Sequence, residues 1–284
     1  MLKLLILGVL LIASGFGQLP ELTRARELYE RTGYEEALSL LKTIPVKNAA
    51  VHALIGKCQY MRGEFKPASE SFELAVRLEP DVAEHHHWLG RSYGRRAETS
   101  SFVTAPGLAS KARQSFEKAV ELNLRATEAV ADLFEYYLEA PGILGGGMEK
   151  ARALAEKTKS LNLAEYHYRL AQIAVKNKEF GDAEEQLRRA VDLAPRQVGR
   201  ILDLASFLAK QGRYQQSDAA FSQAEQVAPN SPRVMFERAK AYIRARRNLG
   251  AARELLVRYL NSPLSPEDPP RSQAEQLLKQ VQSG

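Results

Sequence analysis

The chain has 284 residues, of which 45% are hydrophobic and 26% are charged, a balance that excludes a disordered polar segment and a multi-span membrane protein. Lysine and arginine number 40 against 34 aspartate and glutamate residues, so the formal net charge of +6 is too mild by itself to indicate a nucleic-acid binder. A single cysteine, Cys58, rules out an internal disulfide framework and a cysteine-based zinc site.

The N-terminal residues are typical of a secretory signal peptide. Lys3 supplies a short positive region, residues 4–13 are an unbroken apolar run, and small residues follow up to Gly17. A membrane-spanning helix needs about 20 apolar residues, so this run favours a cleaved signal over a retained anchor. We predict that residues 1–17 are removed near Gly17 and that the mature chain is exported, periplasmic or secreted, with no integral membrane span.

The rest of the chain repeats one pattern. A glycine, an aromatic residue, a small residue, a phenylalanine, an alanine and a proline stand at the same offsets in residues 63–80 and 212–229. The small residue of this pattern recurs at Ala37, Ala68, Ala112, Ala151, Ala183, Ser217 and Ala251. Fixed-period similarity of this kind indicates a repeat architecture.

The pattern resembles the tetratricopeptide repeat family, whose unit is a helix–turn–helix of about 34 residues. Trp88, Leu89, Gly90 and Tyr93 are the best single match, although the family's tryptophan usually stands earlier in the helix. Prolines stand where the repeat usually ends, at Pro80, Pro195, Pro229 and Pro263. The resemblance implies an all-α solenoid, a right-handed superhelix of seven repeats over residues 18–263.

Elementary packing supports the same fold. Apolar residues recur at helical spacing, as in Leu202, Ala205 and Leu208, and no stretch alternates like a strand. Small residues at fixed positions let two helices approach closely, and we expect large side chains to fill the adjacent space: Phe72, Phe116 and Phe221. Because one helical pair cannot bury its apolar face alone, stability must come from stacking of neighbours.

Two intervals between the small residues exceed 34 residues. They place about ten extra residues at 94–107 and five at 140–147, both between the two helices of a repeat. We expect insert loops that project from the same edge of the solenoid, either as tolerated surface insertions or as a paired lip over the groove.

The C-terminal residues 264–284 are a proline-rich connector and a predicted helix over Arg271–Val281. The apolar residues Ala274, Leu277 and Leu278 fall on one face of that helix. We interpret it as the cap that covers the last repeat.

A search for catalytic or metal-binding groups finds little. His85, His86 and His87 splay about 100° apart on a helix, so they cannot share one metal ion. His52, His86 and His167 fall at one repeat position, which favours packing between helices, with a metal shared by His52 and His86 as the alternative. We predict no catalytic residues, no metal site and no cofactor.

In the tetratricopeptide family the first helix of each repeat lines a concave groove. The resemblance places basic residues of repeats five to seven there against Glu165 alone: Lys176, Lys210, Arg233, Lys240 and Arg244. Aromatic and apolar residues lie between these charges: Tyr168, Leu202, Phe236 and Ile243. Repeat four contributes an acidic spot of Glu128, Glu135 and Glu139. The predicted peptide-binding residues are Tyr168, Lys176, Lys210, Phe236, Lys240 and Arg244. The alternative is that these charges are merely solvated.

These features predict a non-catalytic interaction scaffold or adaptor of the cell envelope or extracellular space. Its partner would be a protein or peptide segment, acidic or extended, rather than nucleic acid. One alternative is a structural subunit of an envelope assembly. Another is an enzyme, or an enzyme accessory, with a site under the insert loops.

Export makes a direct prediction. Mass spectrometry of the protein from its native source should find an N-terminus near Gln18, because the apolar run and the small residues after it are typical of a cleavage signal. A native protein that begins at Met1 and fractionates with the cytoplasm would contradict the assignment.

Overall fold

The computed structural model describes residues 20–282, and within that range the chain contains α-helices and one short 3-10 turn but no strand. The predicted signal peptide, residues 1–17, lies outside the described residues. From residue 20 to residue 282, none of the helices combines the length and the apolar character that crossing a membrane requires.

The helices form antiparallel pairs along the chain, each packed on the next. The first helices of the pairs are α1 (Pro20–Glu30), α3 (Ala49–Met61), α5 (Ala83–Glu98), α7 (Thr127–Glu139), α9 (Leu163–Lys176), α11 (Val198–Lys210) and α13 (Pro232–Arg244). The second helices are α2 (Tyr34–Lys42), α4 (Phe65–Leu78), α6 (Ala105–Leu122), α8 (Met148–Thr158), α10 (Phe180–Leu193), α12 (Tyr214–Val227) and α14 (Leu249–Leu260), followed by α15 (Arg271–Gln282). This is the all-α solenoid that the sequence predicts.

The turn inside a pair is nearly the same in several repeats. Gly63, Lys178 and Gly212 occupy the left-handed region, with φ of 79°, 65° and 73°. The amide of the next residue then bonds to a carbonyl five residues back, as Glu64 does to Gln59 at 2.9 Å. This C-terminal capping motif satisfies carbonyls at the end of the first helix and sets the direction of the second.

Close packing of a small residue against a large one joins the two helices of a pair. A Cβ atom placed on Gly90 would lie 2.5 Å from the ring of Phe116, and one on Gly56 would lie 2.8 Å from the ring of Phe72. The sequence predicts that large side chains fill the space beside the small residues, and the rings of Phe72, Phe116 and Phe221 are buried as expected.

The small residue of the seventh repeat is Ala252 rather than the predicted Ala251. Ala252 is fully buried and Ala251 is exposed. The turn between α13 and α14 has four residues, 245–248, whereas the equivalent turn 211–213 has three, so the register shifts by one.

The prediction of a long loop at 94–107 is wrong. Residues 94–98 extend α5 and residues 105–107 begin α6, which leaves a connection of six residues, 99–104. Most of the extra residues therefore lengthen the two helices, and the rest lengthen the connection.

Residues 140–147 connect α7 to α8 through the 3-10 turn Gly142–Leu144. The segment is held against the solenoid, because the Tyr136 hydroxyl donates to the Leu144 carbonyl at 2.8 Å and the Gly147 amide donates to the Tyr137 carbonyl at 2.7 Å. Gly146 lets the chain pass so close to Ala140 that a Cβ atom would lie 1.9 Å from its carbonyl oxygen.

The C-terminal helix α15 packs on α13 and α14. Ala274 is fully buried, and Leu277, Leu278 and Val281 pack against the same cluster. The Tyr259 hydroxyl donates to the Pro269 carbonyl and so fixes the connector that leads into α15.

The contact between Gly90 and Phe116 makes a prediction about stability. Gly90→Leu should lower the free energy of unfolding by about 1–3 kcal/mol, because the new side chain overlaps the Phe116 ring and must push α5 and α6 apart. Urea denaturation followed by circular dichroism measures the change.

Gly94→Ala is the matched control on the same helix. A Cβ atom there meets nothing within 4 Å, so this variant should be as stable as the wild type or up to about 1 kcal/mol more stable. Equal stability of Gly90→Leu and wild type would mean that the α5–α6 contact does not set the packing.

Candidate functional site

The candidate site is the surface formed by α9, α11 and α13, which we call the C-terminal groove. Lys176, Lys210 and Arg244 are the last residues of these three helices, spaced 34 residues apart. Because the helices repeat with the same geometry, the three cations follow one another along one edge of the groove. Each also lies at a helix C-terminus, where a positive charge is favoured.

Two recesses follow each other along this groove. The larger, of about 610 Å³, lies between α9 and α11 and is lined by Tyr168, Lys176 and Lys210 among others. The smaller, of about 180 Å³, lies between α11 and α13 and is lined by Lys210, Lys240 and Arg244 among others. Lys210 borders both, so the structure brings five of the six predicted residues onto one continuous surface.

Phe236, the sixth predicted residue, is not on that surface. It is 2% exposed, and its ring packs against Tyr259 with the ring centroids 5.3 Å apart. Leu202 and Ile243, predicted to lie between the groove charges, are buried as well. Phe236 faces the second helix α14, and Leu202 and Ile243 belong to the buried apolar clusters of the core.

The apolar lining of the larger recess comes instead from residues that sequence reasoning missed. Val175 and Phe180 are exposed there, and Leu138 and Phe207 also line it. Phe180 begins the second helix of its pair, so a search confined to first helices cannot find it.

Carboxylates neutralise two of the predicted groove cations. Glu139 lies 2.5 Å from the Lys176 ammonium, and Glu237 lies 2.6 Å from the Lys240 ammonium. Lys210 and Arg244, by contrast, have no carboxylate within ion-pair distance in residues 20–282. Of the four predicted cations that line the two recesses, Lys176 and Lys240 are therefore neutralised and Lys210 and Arg244 are not.

Glu165, the acidic residue predicted to face the groove, is buried in an ion network beneath it. Its carboxylate lies 3.4 Å from Arg169 and 3.3 Å from Arg200. Arg200 also pairs with Asp203 at 3.0 Å and lies 3.6 Å from the centroid of the Tyr168 ring. One face of Tyr168 is thus covered, and the network ties α9 to α11.

Burial dominates the electrostatics of this network. It raises the pKa of Asp203 to about 6, although the nearby Arg200 and Arg233 guanidinium groups oppose the shift. Burial also raises the pKa of the Tyr168 hydroxyl to about 12, so this group stays protonated at neutral pH.

Two histidines and the cysteine that could carry chemistry are occupied by contacts within the protein or buried in it. His87 Nε2 lies 2.7 Å from Asp132, and His86 Nε2 lies 2.7 Å from the Pro80 carbonyl, so these rings bond to protein groups. Over residues 20–282 no three metal-ligating side chains converge. Cys58 is buried, which raises the pKa of its thiol to about 12 and keeps it unreactive.

The N-terminal half of the groove carries an aromatic cluster that sequence reasoning also missed. The Arg91 guanidinium lies 4.7 Å from the Trp88 ring centroid and 5.4 Å from that of Tyr60. The two cations of this cluster already have acidic partners, with Lys57 2.6 Å from Glu84 and Arg91 3.6 Å from Asp132. This cluster is therefore less open to an acidic partner than the surface around Lys210.

Comparison with known proteins agrees with this geometry. Tetratricopeptide repeat models match residues 164–197 and 202–269. This chain contains tetratricopeptide repeats. The two matched segments cover the pairs α9–α10, α11–α12 and α13–α14, which are the helices that build the C-terminal groove.

Solved structures show the same fold. A tetratricopeptide repeat protein from Parabacteroides merdae is 14% identical, with a TM-score of 0.59 over 92% of this chain and 97% of that one. A thermophilic tetratricopeptide repeat protein from Thermus thermophilus is 21% identical, with a TM-score of 0.52 over 66% of this chain and 97% of that one. At these identities the likeness concerns the fold alone.

One curated relative is Superkiller complex protein 3 of Mus musculus, which is 24% identical over 225 residues. The match covers 66% of this chain and 14% of the mouse protein, so the chain spans a small part of that relative.

The tetratricopeptide fold points to a protein-interaction scaffold, since such solenoids present extended concave surfaces to their partners. The count of seven family repeats stays a prediction, although seven helical pairs stand in the described part of the chain.

The raised pKa of Asp203 predicts a pH effect on stability. Between the ordinary value of 3.8 and about 6, the folded chain keeps a proton on Asp203 that the unfolded chain has lost. Stability therefore falls as pH rises through this window, because the unfolded state binds fewer protons.

Asp203→Asn removes this titration and serves as the reference. Urea midpoints measured by circular dichroism at several pH values should show the wild type losing stability relative to the variant from pH 4 to about 6, and a constant difference above that. A difference that does not depend on pH would show that Asp203 has an ordinary pKa.

Proposed function

We propose that this tetratricopeptide repeat protein is a non-catalytic scaffold that binds acidic segments of a partner protein in the C-terminal groove. The observation that carries the proposal is the position of Lys210. This side chain borders both recesses, and within residues 20–282 it has no ion-pair partner.

An unpaired cation in a concave surface favours an anionic partner. Long cationic side chains gain little from burial, so those of Lys210 and Arg244 stay available to an incoming carboxylate. Their field also speeds encounter with acidic segments and gives a rate that falls with salt. Lys176 and Lys240 contribute less, because Glu139 and Glu237 already neutralise them.

The proposed setting is the cell envelope or the extracellular space. The support for it is the sequence of residues 1–17, with its charged start, apolar run and small residues. A scaffold exported in this way would hold its partner after both have left the cytoplasm.

A second function, as a structural subunit of an envelope assembly, has its own observation. Phe102 is 89% exposed in the connection between α5 and α6, and Ile143 is 95% exposed in the connection between α7 and α8. Both connections join the two helices of a pair, so they belong to one edge of the solenoid. Exposed apolar side chains on one edge favour a contact with another subunit.

Charge reversal tests the groove. Lys210→Glu combined with Lys240→Glu should abolish capture of an acidic partner segment, because the edge of both recesses then repels carboxylates. Capture by immobilised mature protein at several salt concentrations measures the effect, and circular dichroism checks that the helices persist.

Lys157→Glu combined with Arg253→Glu is the matched control. Both residues are exposed on second helices, α8 and α14, and the change in net charge is the same. The groove is the site if the groove variant loses capture while the control captures the partner as the wild type does. Equal loss in both double variants would mean that net charge alone, and not the groove, governs binding.

A further inference from the structure

The larger recess of the C-terminal groove has an apolar floor. Val175 is 42% exposed and Phe180 is 43% exposed, and both line this recess together with Leu138 and Phe207. Single exposed apolar side chains are ordinary on a protein surface, but here they converge in one concavity of about 610 Å³. A volume of this size lies in the range of ligand-binding clefts.

Charged groups stand at the rim of the same recess. Lys178 and Lys210 line it without a carboxylate within ion-pair distance in the described chain, and Lys176 lines it while paired with Glu139. Asp203 also lines the recess, but the Arg200 guanidinium lies 3.0 Å from its carboxylate. The floor is therefore apolar, and the free charges at the rim are positive.

We propose that this recess binds one bulky apolar side chain of the partner segment, and that acidic residues on either side of that side chain contact Lys178 and Lys210. The inference rests on the proposed function and narrows it from acidic segments in general to acidic segments with an apolar anchor. Tyr168, one face of which is covered by Arg200, lines one side of the recess.

Charge and burial make separable contributions to such binding. Contacts of exposed charges steer the encounter and are screened by salt. Burial of a phenylalanine or leucine side chain corresponds to a roughly 10- to 100-fold gain in affinity and depends little on salt. The anchor should therefore decide which acidic segments bind tightly.

Two labelled peptides test the proposal. One has the sequence Ser-Glu-Glu-Phe-Glu-Glu-Ser, and the other has alanine in place of phenylalanine. Fluorescence anisotropy titration of the mature protein should give at least about tenfold tighter binding of the phenylalanine peptide.

A variant of the recess and a matched control locate the effect. Val175→Lys removes apolar floor while adding positive charge, so the alanine peptide should bind as well as before or better, and the preference for phenylalanine should disappear. Val257→Lys makes the same change on α14, at a valine of the same 42% exposure, and should keep the preference. Circular dichroism confirms that both variants remain helical.

The outcomes separate the two proposals. Equal affinity of the two peptides for the wild type would overturn the anchor and leave the acidic groove standing. Absence of binding by both peptides would count against the acidic groove as well. A preference that survives Val175→Lys would place the apolar anchor outside this recess and would also overturn the inference.

Discussion

The architecture depends on close contact between the two helices of a pair, which is tightest where a glycine on the first helix meets a phenylalanine ring on the second. Gly90 lies under Phe116 and Gly56 under Phe72, so close that even a Cβ atom would overlap the ring. Such contact holds the two helices of a pair at one distance, because a packed interior does not tolerate added volume. The pairs can then stack on one another with a repeated geometry.

The groove is a consequence of that repetition. Lys176, Lys210 and Arg244 are not neighbours in sequence, yet each ends a first helix, and equal helical pairs bring them to one edge. The same repetition opens a recess between each two successive first helices in this half of the chain. A buried network around Arg200 braces the floor between α9 and α11, so the surface is preorganised rather than assembled by the partner.

The sequence predicts the fold well because the signal is redundant. A shift of one residue in a single repeat, such as Ala252 in place of Ala251, leaves the other repeats in register and the overall prediction unchanged. The sequence signal for the candidate site is less redundant. The repeat position of Phe236 predicts that it lies in the groove, whereas the structure buries it against Tyr259.

Contacts between repeats are what the sequence could not show. Lys176 forms an ion pair with Glu139, which is 37 residues away in the sequence. Whether the two charges neutralise each other therefore depends on how two helical pairs stack. The extra residues near position 100 illustrate the same limit, because periodicity reveals an insertion but not whether it lengthens helices or forms a loop. Helical continuation was favoured here because α5 and α6 could extend their contact.

The most direct test of the groove is to locate a bound acidic segment on the protein. An acidic peptide with a photoreactive phenylalanine analogue, cross-linked to the mature chain and mapped by mass spectrometry, should label α9, α11 and the start of α10, around Val175, Phe180 and Lys210. Labels confined to the second helices α12 and α14, or to the connections 99–104 and 140–147, would contradict the account.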